Sequence, residues 1–340
     1  MGFSRVQMQV GEGMAKSRVR STLMGLGFLV LILFVSAWWL LGIRQAPAPE
    51  LSGALTSESL SWESRIRTYH VYRPSRVLRS PPIVFVLHGS MGNGVMARMS
   101  MAQEFDRLAD EEGFLVVYPD GFDDHWNGCR AAGPYAANQL DVDDVGFFRA
   151  IVGRLVTEDL ADPEAVFATG ISNGGHMAIR LALEAPDLVR AVAPIVASMP
   201  SDDNLACEDR GAGVAFLLIN GTEDPMNPYE GGDVALFGVV GNRGGVRSTP
   251  ATIQMFAERA GYGGAPDVSN LPDVEPDDGS HLVRHQWAEE GRPEVTLLAI
   301  VGGGHSVPHP VQRGPRLLGR TNADIHTAEV VWAFFSRNRK

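Results

Sequence analysis

The sequence predicts one α/β domain with a mainly parallel sheet, preceded by a separate apolar segment near the N-terminus. Two observations predict the domain. Short runs that are almost continuously apolar recur from residue 62 onward, and stretches with helical periodicity lie between them. Parallel strands are buried on both faces, so they are apolar along their whole length. A third observation, an uncharged run over residues 22–43, separates the leader from the domain.

The leader has the features of a membrane anchor. Residues 22–43 follow a basic segment, 1–21, and a helix of this length extends about 30 Å, enough to cross a bilayer. Basic residues before the span predict a cytoplasmic N-terminus. The small residues at 35–37 leave a cleaved signal peptide open, although Trp38 and Trp39 would then begin the mature chain. We expect an exported protein, anchored in the membrane or secreted if the leader is cleaved.

The elements of the domain follow in order. Residues 44–61 are rich in Pro, Ser and Ala and predict a linker, and 62–340 are expected to form the α/β domain. Strands are expected at 83–89, 114–121, 165–170, 191–196, 214–221 and 295–303. Helices are expected at 96–112, 143–158, 174–184, 249–260 and 323–336, with loops at 231–246 and 262–280. This alternation predicts a parallel sheet, whose carboxyl edge is where such folds place their sites.

The charge distribution argues against a nucleic-acid partner. The chain has 29 basic and 40 acidic residues, and residues 1–48 hold five of the basic and one of the acidic ones. Residues 49–340 therefore keep 24 basic and 39 acidic residues, a net charge of -15. Binding to phosphates needs clustered Lys and Arg.

The motif Gly170-Ile171-Ser172-Asn173-Gly174 predicts a nucleophile elbow. It has the form G-x-S-x-G, follows a predicted strand and opens a predicted helix. The turn in such an elbow is so tight that the positions two before and two after the serine need glycine. The alternative is an ordinary glycine-rich turn in which Ser172 caps the helix.

An acid and a base follow the serine in the chain order typical of this architecture. Asp224, with Glu223 as the alternative, comes directly after the predicted strand 214–221. His305, with His309 as the alternative, follows the strand at 295–303. Both positions lie at carboxyl ends of predicted parallel strands, so Ser172, His305 and Asp224 are the expected catalytic triad.

The oxyanion of an acyl-transfer reaction needs two backbone N–H donors. One is expected at Asn173, the residue after the nucleophile. The second is expected in the loop after the first parallel strand, at Ser90 or Met91.

Six sequence blocks together resemble the polyhydroxybutyrate depolymerase/feruloyl esterase family of α/β-hydrolases. They are LHGSMGNG, YPDGFDDHWNGC, DVDDVGFF, TGISNGGHMA, NGTEDPMNPYEGG and GGGHSVPHP. The resemblance covers residues 62–338 and implies an α/β-hydrolase fold that hydrolyses small or polymeric carboxylic esters without a cofactor. The nucleophile, acid and base of the family match Ser172, Asp224 and His305. The chain departs from the family at 306–308, where a tryptophan is usual, and at His176, where a small residue is more common.

Three other functions are compatible with these features. An acyltransferase or a peptidase would use the same triad, and a catalytically silent surface-binding protein would keep only the fold.

Trp126 and Asn127 lie on a loop after a strand, where they either line the substrate pocket or anchor the loop. A cluster at Asp141, Asp143 and Asp144 leaves calcium open, but acidic residues before a helix more often cap it, so we expect no metal.

Cys129 and Cys207 are the two cysteines of the chain, and we expect them to form a disulfide. An exported protein is in an oxidising compartment, and both loops are predicted to leave the sheet at the same edge. The alternative is a pair of free thiols, because the sequence gives no distance between them.

Overall fold

The computed structural model describes residues 30–32 and 34–339, and its centre is a ten-stranded sheet in the order β1-β2-β4-β3-β5-β6-β7-β12-β11-β10. The strands are β1 (Ala54–Trp62), β2 (Arg65–Arg73), β3 (Ile83–Leu87), β4 (Leu115–Pro119), β5 (Val166–Ile171), β6 (Ala191–Ile195), β7 (Ala215–Gly221), β10 (Asp267–Asn270), β11 (His281–Trp287) and β12 (Val295–Val301). The six strands from β4 to β12 along this order are parallel, and those at both edges are antiparallel. A two-stranded ribbon, β8 (Gly232–Asp233) with β9 (Gly245–Val246), lies outside it.

Helices cover both faces of the sheet. They are α1 (Gly94–Ser100), α2 (Glu104–Glu112), α3 (Ala136–Gln139), α4 (Asp144–Glu158), α5 (Asn173–Glu184), α6 (Thr249–Arg259) and α7 (Thr327–Arg337). Side chains of α4, α5 and α6 share a buried cluster with Phe85, whereas those of α1, α2 and α7 pack with Val84 and Val86 on the other face. Because successive residues of a strand point to opposite faces, the apolar run of β3 supplies both cores. The mainly parallel α/β-hydrolase sheet flanked by helices is therefore confirmed.

The six predicted parallel strands are all present, and the bounds of the helices differ from the predicted ones. The predicted helix 96–112 is two helices, because Ala102 and Gln103 adopt left-handed backbone conformations with φ of 52° and 59°. The edge strands β1, β2, β10 and β11 were not predicted.

The linker prediction for 44–61 is wrong in its second half, because β1 begins at Ala54. The compact unit that contains the sheet itself begins at Arg44 and comprises residues 44–314 and 318–340. The sequence of β1, ALTSESLSW, is polar because this strand lies at the edge of the sheet, and a polar edge strand resembles a linker.

The structure describes only part of the predicted leader. Residues 1–21, and 22–29 and 33 of the span 22–43, lie outside the described residues. Residues 30–32 and 34–41 are helical and expose apolar side chains such as Phe34 and Trp38. Within the described residues, no helix has both the length and the apolar character that a membrane crossing requires.

Candidate active site

Ser172 lies in a strained turn between β5 and α5, at the centre of the sheet. Its φ of 54° and ψ of -113° are unusual for a residue with a side chain, and such strain persists where the surrounding structure enforces it. A Cβ on Gly170 would lie 2.4 Å from the carbonyl oxygen of Gly174, and a Cβ on Gly174 would lie 2.5 Å from that of Leu87. Glycine is therefore required at both positions by close backbone approach, as the elbow motif predicts.

His305 and Asp224 follow adjacent parallel strands, β12 and β7. His305 Nδ1 donates to Asp224 Oδ2 at 2.7 Å, and the two side chains are 7% and 1% exposed. The other carboxylate oxygen of Asp224 accepts hydrogen bonds from the backbone N–H groups of Met226 and Asn227, at 2.7 and 2.8 Å. The carboxylate is thus fixed from both sides. Because Nδ1 donates to Asp224, Nε2 of His305 is the nitrogen available as a base.

The two alternative residues are engaged elsewhere. Glu223 is exposed and pairs with Arg320 at 2.6 Å. His309 Nδ1 accepts hydrogen bonds from the backbone N–H groups of Val311 and Gln312, and its Nε2 faces Glu104 at 3.2 Å. Neither side chain is free to serve the elbow, and the geometry favours Asp224 and His305.

The loop after β3 lies directly against the elbow. A Cβ on Gly89 would be 3.7 Å from the Cβ of Ser172, so the loop that begins at Gly89 lies close to the candidate nucleophile. His88 fixes this loop: its Nε2 accepts from the N–H of Gly121 at 2.8 Å, and its Nδ1 donates to the Gly89 carbonyl at 2.7 Å. Burial lowers the pKa of His88, which keeps the ring neutral as this pattern requires. Ser90 follows on the loop, and Asn173 begins α5.

Trp126 and Asn127 are buried, which corrects their assignment as residues that line the substrate pocket. Trp126 is 0% exposed, and its indole N–H donates to the carbonyl of His88 at 3.1 Å. Its backbone N–H donates to the side chain of Asn173 at 2.7 Å. Asn127 is 6% exposed and donates to Asp141 at 3.0 Å. These contacts support the alternative that both residues anchor the loop, and those of Trp126 connect it to Asn173 and to His88 in the loop after β3.

The acidic cluster before α4 has other roles than a shared cation. Asp143 caps α4 by accepting from the N–H of Gly146 at 2.7 Å. Asp144 is buried and pairs with Arg67 at 2.7 Å. Asp141 accepts from the side-chain amide of Asn127, whose backbone N–H donates to Asp144 at 2.8 Å, so all three carboxylates already accept hydrogen bonds from protein donors.

One group in the described residues has the composition of a metal site: Glu104, His309 and His326. His309 Nδ1 accepts from two backbone N–H groups, so Nε2 of the neutral ring carries the proton. A protonated nitrogen cannot coordinate a metal. The group is therefore better described as a hydrogen-bonded cluster in which Glu104 accepts from both histidines, at 3.2 and 2.5 Å.

Cys129 and Cys207 form a disulfide, and their Cα atoms are 4.9 Å apart. The bond joins the loop after β4 to the loop after β6. The next residue, Arg130, is buried, and its backbone pairs with Leu205 in an isolated bridge. The disulfide therefore holds together two loops at the carboxyl edge of the sheet.

Three residues near the elbow were not predicted from the sequence. Tyr135 donates to or accepts from Ser90 across a 3.0 Å contact between hydroxyl oxygens. Arg243, from the loop predicted at 231–246, donates to the Tyr135 hydroxyl at 2.6 Å.

His176 was noted only as a departure from the family. Its Nδ1 has no hydrogen-bond partner among the described residues. Burial, with the charges of Arg130 and His305, holds its pKa well below the usual range.

A cavity of about 610 Å³ lies away from these residues. It is lined by Val214 and Glu294, which precede β7 and β12, and by Pro186 and Arg337. Asp224 and His305 follow the same two strands, so the cavity is at the amino edge of the sheet and the candidate site is at the carboxyl edge.

Comparisons with known proteins point to ester hydrolysis. The family described as "Putative esterase" matches residues 57–201, a range that includes Ser172 and ends before Asp224. The "Putative esterase NocK" of Nocardia uniformis subsp. tsuyamanensis is 28% identical, and the match covers 84% of each chain. "Probable feruloyl esterase C" of Aspergillus niger is 27% identical over 51% of this chain and 58% of its own. The acetylxylan esterase of Coprinopsis cinerea is 28% identical over 55% and 47%.

The match therefore spans less than two thirds of the feruloyl and acetylxylan esterases but most of the NocK esterase. Among solved structures, the acetyl xylan esterase from Aspergillus awamori has a TM-score of 0.52 at 17% identity. That match covers 75% of this chain and 95% of the other, and it supports the fold.

Proposed function

Because the chain is a carboxylic ester hydrolase of a feruloyl esterase-like α/β-hydrolase family, we propose that Ser172, His305 and Asp224 are its catalytic triad. The observation that carries the proposal is the 2.7 Å hydrogen bond between His305 and Asp224, which follow two neighbouring parallel strands at the edge of the sheet where the elbow also lies. The strained backbone of Ser172 supports the nucleophile.

The reaction proceeds by two acyl transfers. His305 Nε2 takes the proton of the Ser172 hydroxyl as Oγ attacks the ester carbonyl. The N–H groups of Ser90 and Asn173 donate to the oxyanion of the tetrahedral intermediate. When this intermediate collapses, protonated His305 gives its proton to the leaving alcohol, and the acyl group remains on Ser172.

Water completes the cycle. His305 takes a proton from a water molecule, whose oxygen attacks the acyl-enzyme, and the second intermediate releases the carboxylic acid and restores the Ser172 hydroxyl. Asp224 orients the imidazole and stabilises its protonated form in both halves of the reaction. The substrates we propose are esters of the polyhydroxyalkanoate, feruloyl or acetyl type, which the resemblance to the family implies.

A fluorophosphonate probe tests the assignment of the nucleophile. We expect the probe to form a covalent adduct on the peptide that contains Ser172, and a catalytically silent protein would stay unlabelled. A panel of 4-nitrophenyl esters of increasing chain length, with methyl ferulate and a hydroxybutyrate oligomer, then compares acyl groups. Product analysis with an added alcohol or amine separates hydrolysis from acyl transfer, and a peptide substrate tests the peptidase alternative.

We also propose that the protein is exported and held in the membrane by residues 22–43. Support comes from the uncharged sequence of this span and from the Cys129–Cys207 disulfide, since disulfides persist in oxidising compartments. The full chain should remain in the membrane fraction after carbonate extraction. Recovery of a soluble mature form that begins near Trp38 would favour the signal-peptide alternative.

A further inference from the structure

Two arginines lie beside the loop that carries the proposed oxyanion donor. Ser90 contacts the hydroxyl of Tyr135 at 3.0 Å, and Arg243 Nε donates to the same hydroxyl at 2.6 Å. The guanidinium carbon of Arg130 is 5.8 Å from the centre of the Tyr135 ring. Gly89, the residue before Ser90, lies against Ser172. Both guanidinium groups are therefore connected to the proposed nucleophile through Tyr135 and the loop that carries Ser90.

Arg130 is buried without an anion. It is 3% exposed, and neither it nor Arg243 forms an ion pair with a carboxylate in the part of the chain that the structure describes. Other buried arginines do, as Arg67 does with Asp144 at 2.7 Å. A buried charge that lacks a partner is costly, and removing it from water favours any ligand that supplies the opposite charge.

The positive charges of Arg130 and Arg243 lie close enough together to influence the same ionisable groups. Burial lowers the pKa of Arg130, and the neighbouring charge of Arg243 lowers it further. Arg130 also lowers the pKa of His176, on which the charge of His305 acts in the same direction. The carboxylate of Asp233, on the same loop as Arg243, instead accepts from Asn242 at 2.7 Å. An arginine keeps its charge at any physiological pH, so the region stays cationic.

This local positive charge contrasts with the chain as a whole, whose net charge is -11. An acidic protein repels anionic substrates over most of its surface. A cationic patch beside Ser172 offsets that repulsion at the candidate active site. Guanidinium groups also match carboxylates in geometry, because they donate two parallel hydrogen bonds.

We propose that Arg130, Tyr135 and Arg243 form a subsite for a free carboxylate carried by the ester substrate. The substrate class is an ester with a second, ionised carboxyl group, such as a hemiester of a dicarboxylic acid or an oligomer of a hydroxy acid. The carboxylate belongs to the acyl part in the first case and to the alcohol part in the second. The proposal rests on the proposed function, since the position of the subsite is defined by the oxyanion loop.

The test compares substrates that differ only in this charge. For the acyl side, the pair is monomethyl adipate and the methyl ester of its monoamide; for the alcohol side, it is 3-acetoxybutanoate and 3-acetoxybutanamide. We expect kcat/KM to favour the carboxylate in at least one pair, and the preference to fall as ionic strength rises. Arg243→Gln should reduce the preference about tenfold, and Arg243→Lys should keep part of it.

Arg247→Gln is the matched control. Arg247 follows the same loop but is paired with Asp202 at 2.5 Å, so this change removes one positive charge without touching Tyr135. It should leave the ratio within each substrate pair unchanged. As a measurement that needs no variant, adipate should inhibit hydrolysis of a neutral ester by the wild-type protein more strongly than adipamide does.

Equal kcat/KM within both pairs, or equal inhibition by adipate and adipamide, overturns the subsite. So does an Arg243→Gln variant that loses the same factor on charged and neutral esters, because that result describes a structural role. Failure of the proposed function looks different: the wild type would hydrolyse neither member of a pair, and Ser172 would stay unlabelled by the fluorophosphonate.

Discussion

The elbow (Gly170–Gly175) and the loop over 231–246 both serve the same edge of the sheet, but they are held in different ways. In the elbow, backbone packs against backbone: a Cβ on Gly175 would lie 2.9 Å from the carbonyl oxygen of Ile195. In the loop, Arg243 and Asn242 make side-chain hydrogen bonds, and Phe237, Val239 and Val240 are exposed. The proposed nucleophile therefore lies on a part that cannot change without movement of the sheet, whereas Arg243 of the proposed carboxylate subsite lies on a part that can.

The largest loss of kcat is expected from substitution of Asp224, the proposed acid, which follows β7. Asp224→Asn should lower kcat about 10⁴-fold, because a neutral amide no longer holds the correct imidazole tautomer. Glu223→Gln, at the adjacent residue, is the control: Glu223 is exposed and pairs with Arg320, so kcat should change little. Steady-state kinetics on a 4-nitrophenyl ester measures both. A larger loss in the Glu223 variant would move the acid to that residue.

A pair of glycine variants tests the rigid and the adaptable region directly. Gly174→Ala places a methyl 2.5 Å from the carbonyl oxygens of Leu87 and His88, so α5 must shift and Ser172 with it. A displacement of about 1 Å is enough to lower kcat about 100-fold. Gly238→Ala meets nothing within 4 Å and carries only the strain of its φ of 70°, about 1 kcal/mol.

The Gly238 variant should therefore keep kcat and lose a little thermal stability, as measured by calorimetry. If Gly174→Ala retained wild-type kcat, the elbow would be less constrained than its packing indicates.

The disulfide is a covalent restraint on the loops after β4 and β6, and the first of these carries Arg130 and Tyr135. Cys129→Ser with Cys207→Ser should reduce the free energy of unfolding by about 3–4 kcal/mol, since the bond closes a loop with a sequence separation of 78 residues. Urea unfolding of the wild type and the double variant measures this change. A double variant as stable as the wild type would show that polar contacts alone hold these loops. Two reactive thiols per chain in unfolded, non-reduced wild-type protein from its native host would contradict the bond itself.

The smallest effect concerns His176, which lies on the rigid side at the beginning of α5. The pKa of its buried ring is lowered in the folded state, whereas the unfolded chain has a pKa of about 6.5. Below that pH the unfolded state binds more protons, so stability falls as pH decreases, by at most about 1.4 kcal/mol per pH unit.

Unfolding of the His176→Ala variant at pH 7.5 and 5.5 should therefore show a smaller stability loss on acidification than the wild type shows. The variant lowers stability at both pH values because it leaves a cavity, and only the difference between them tests the prediction. His88, whose pKa is also lowered by burial, remains to give the residual pH dependence. An unchanged difference would mean that His176 is not the group that titrates.

The sequence predicted the rigid region better than the adaptable one, for physical reasons. The elbow and the six parallel strands are local: glycine spacing and apolar runs follow from sterics and burial at neighbouring residues. The contact between Tyr135 and Arg243 joins residues 108 positions apart, and no local pattern indicates it. Trp126 shows the same limit, because an aromatic residue on a loop is compatible with both a pocket wall and a loop anchor.

Replacement of Ser172 by alanine tests the central claim most directly, since it removes the nucleophile and leaves the packing of the elbow in place. Turnover of a 4-nitrophenyl ester by Ser172→Ala should fall by several orders of magnitude, while the thermal unfolding transition stays close to that of the wild type. A folded Ser172→Ala protein with turnover comparable to the wild type would contradict the catalytic role of the elbow.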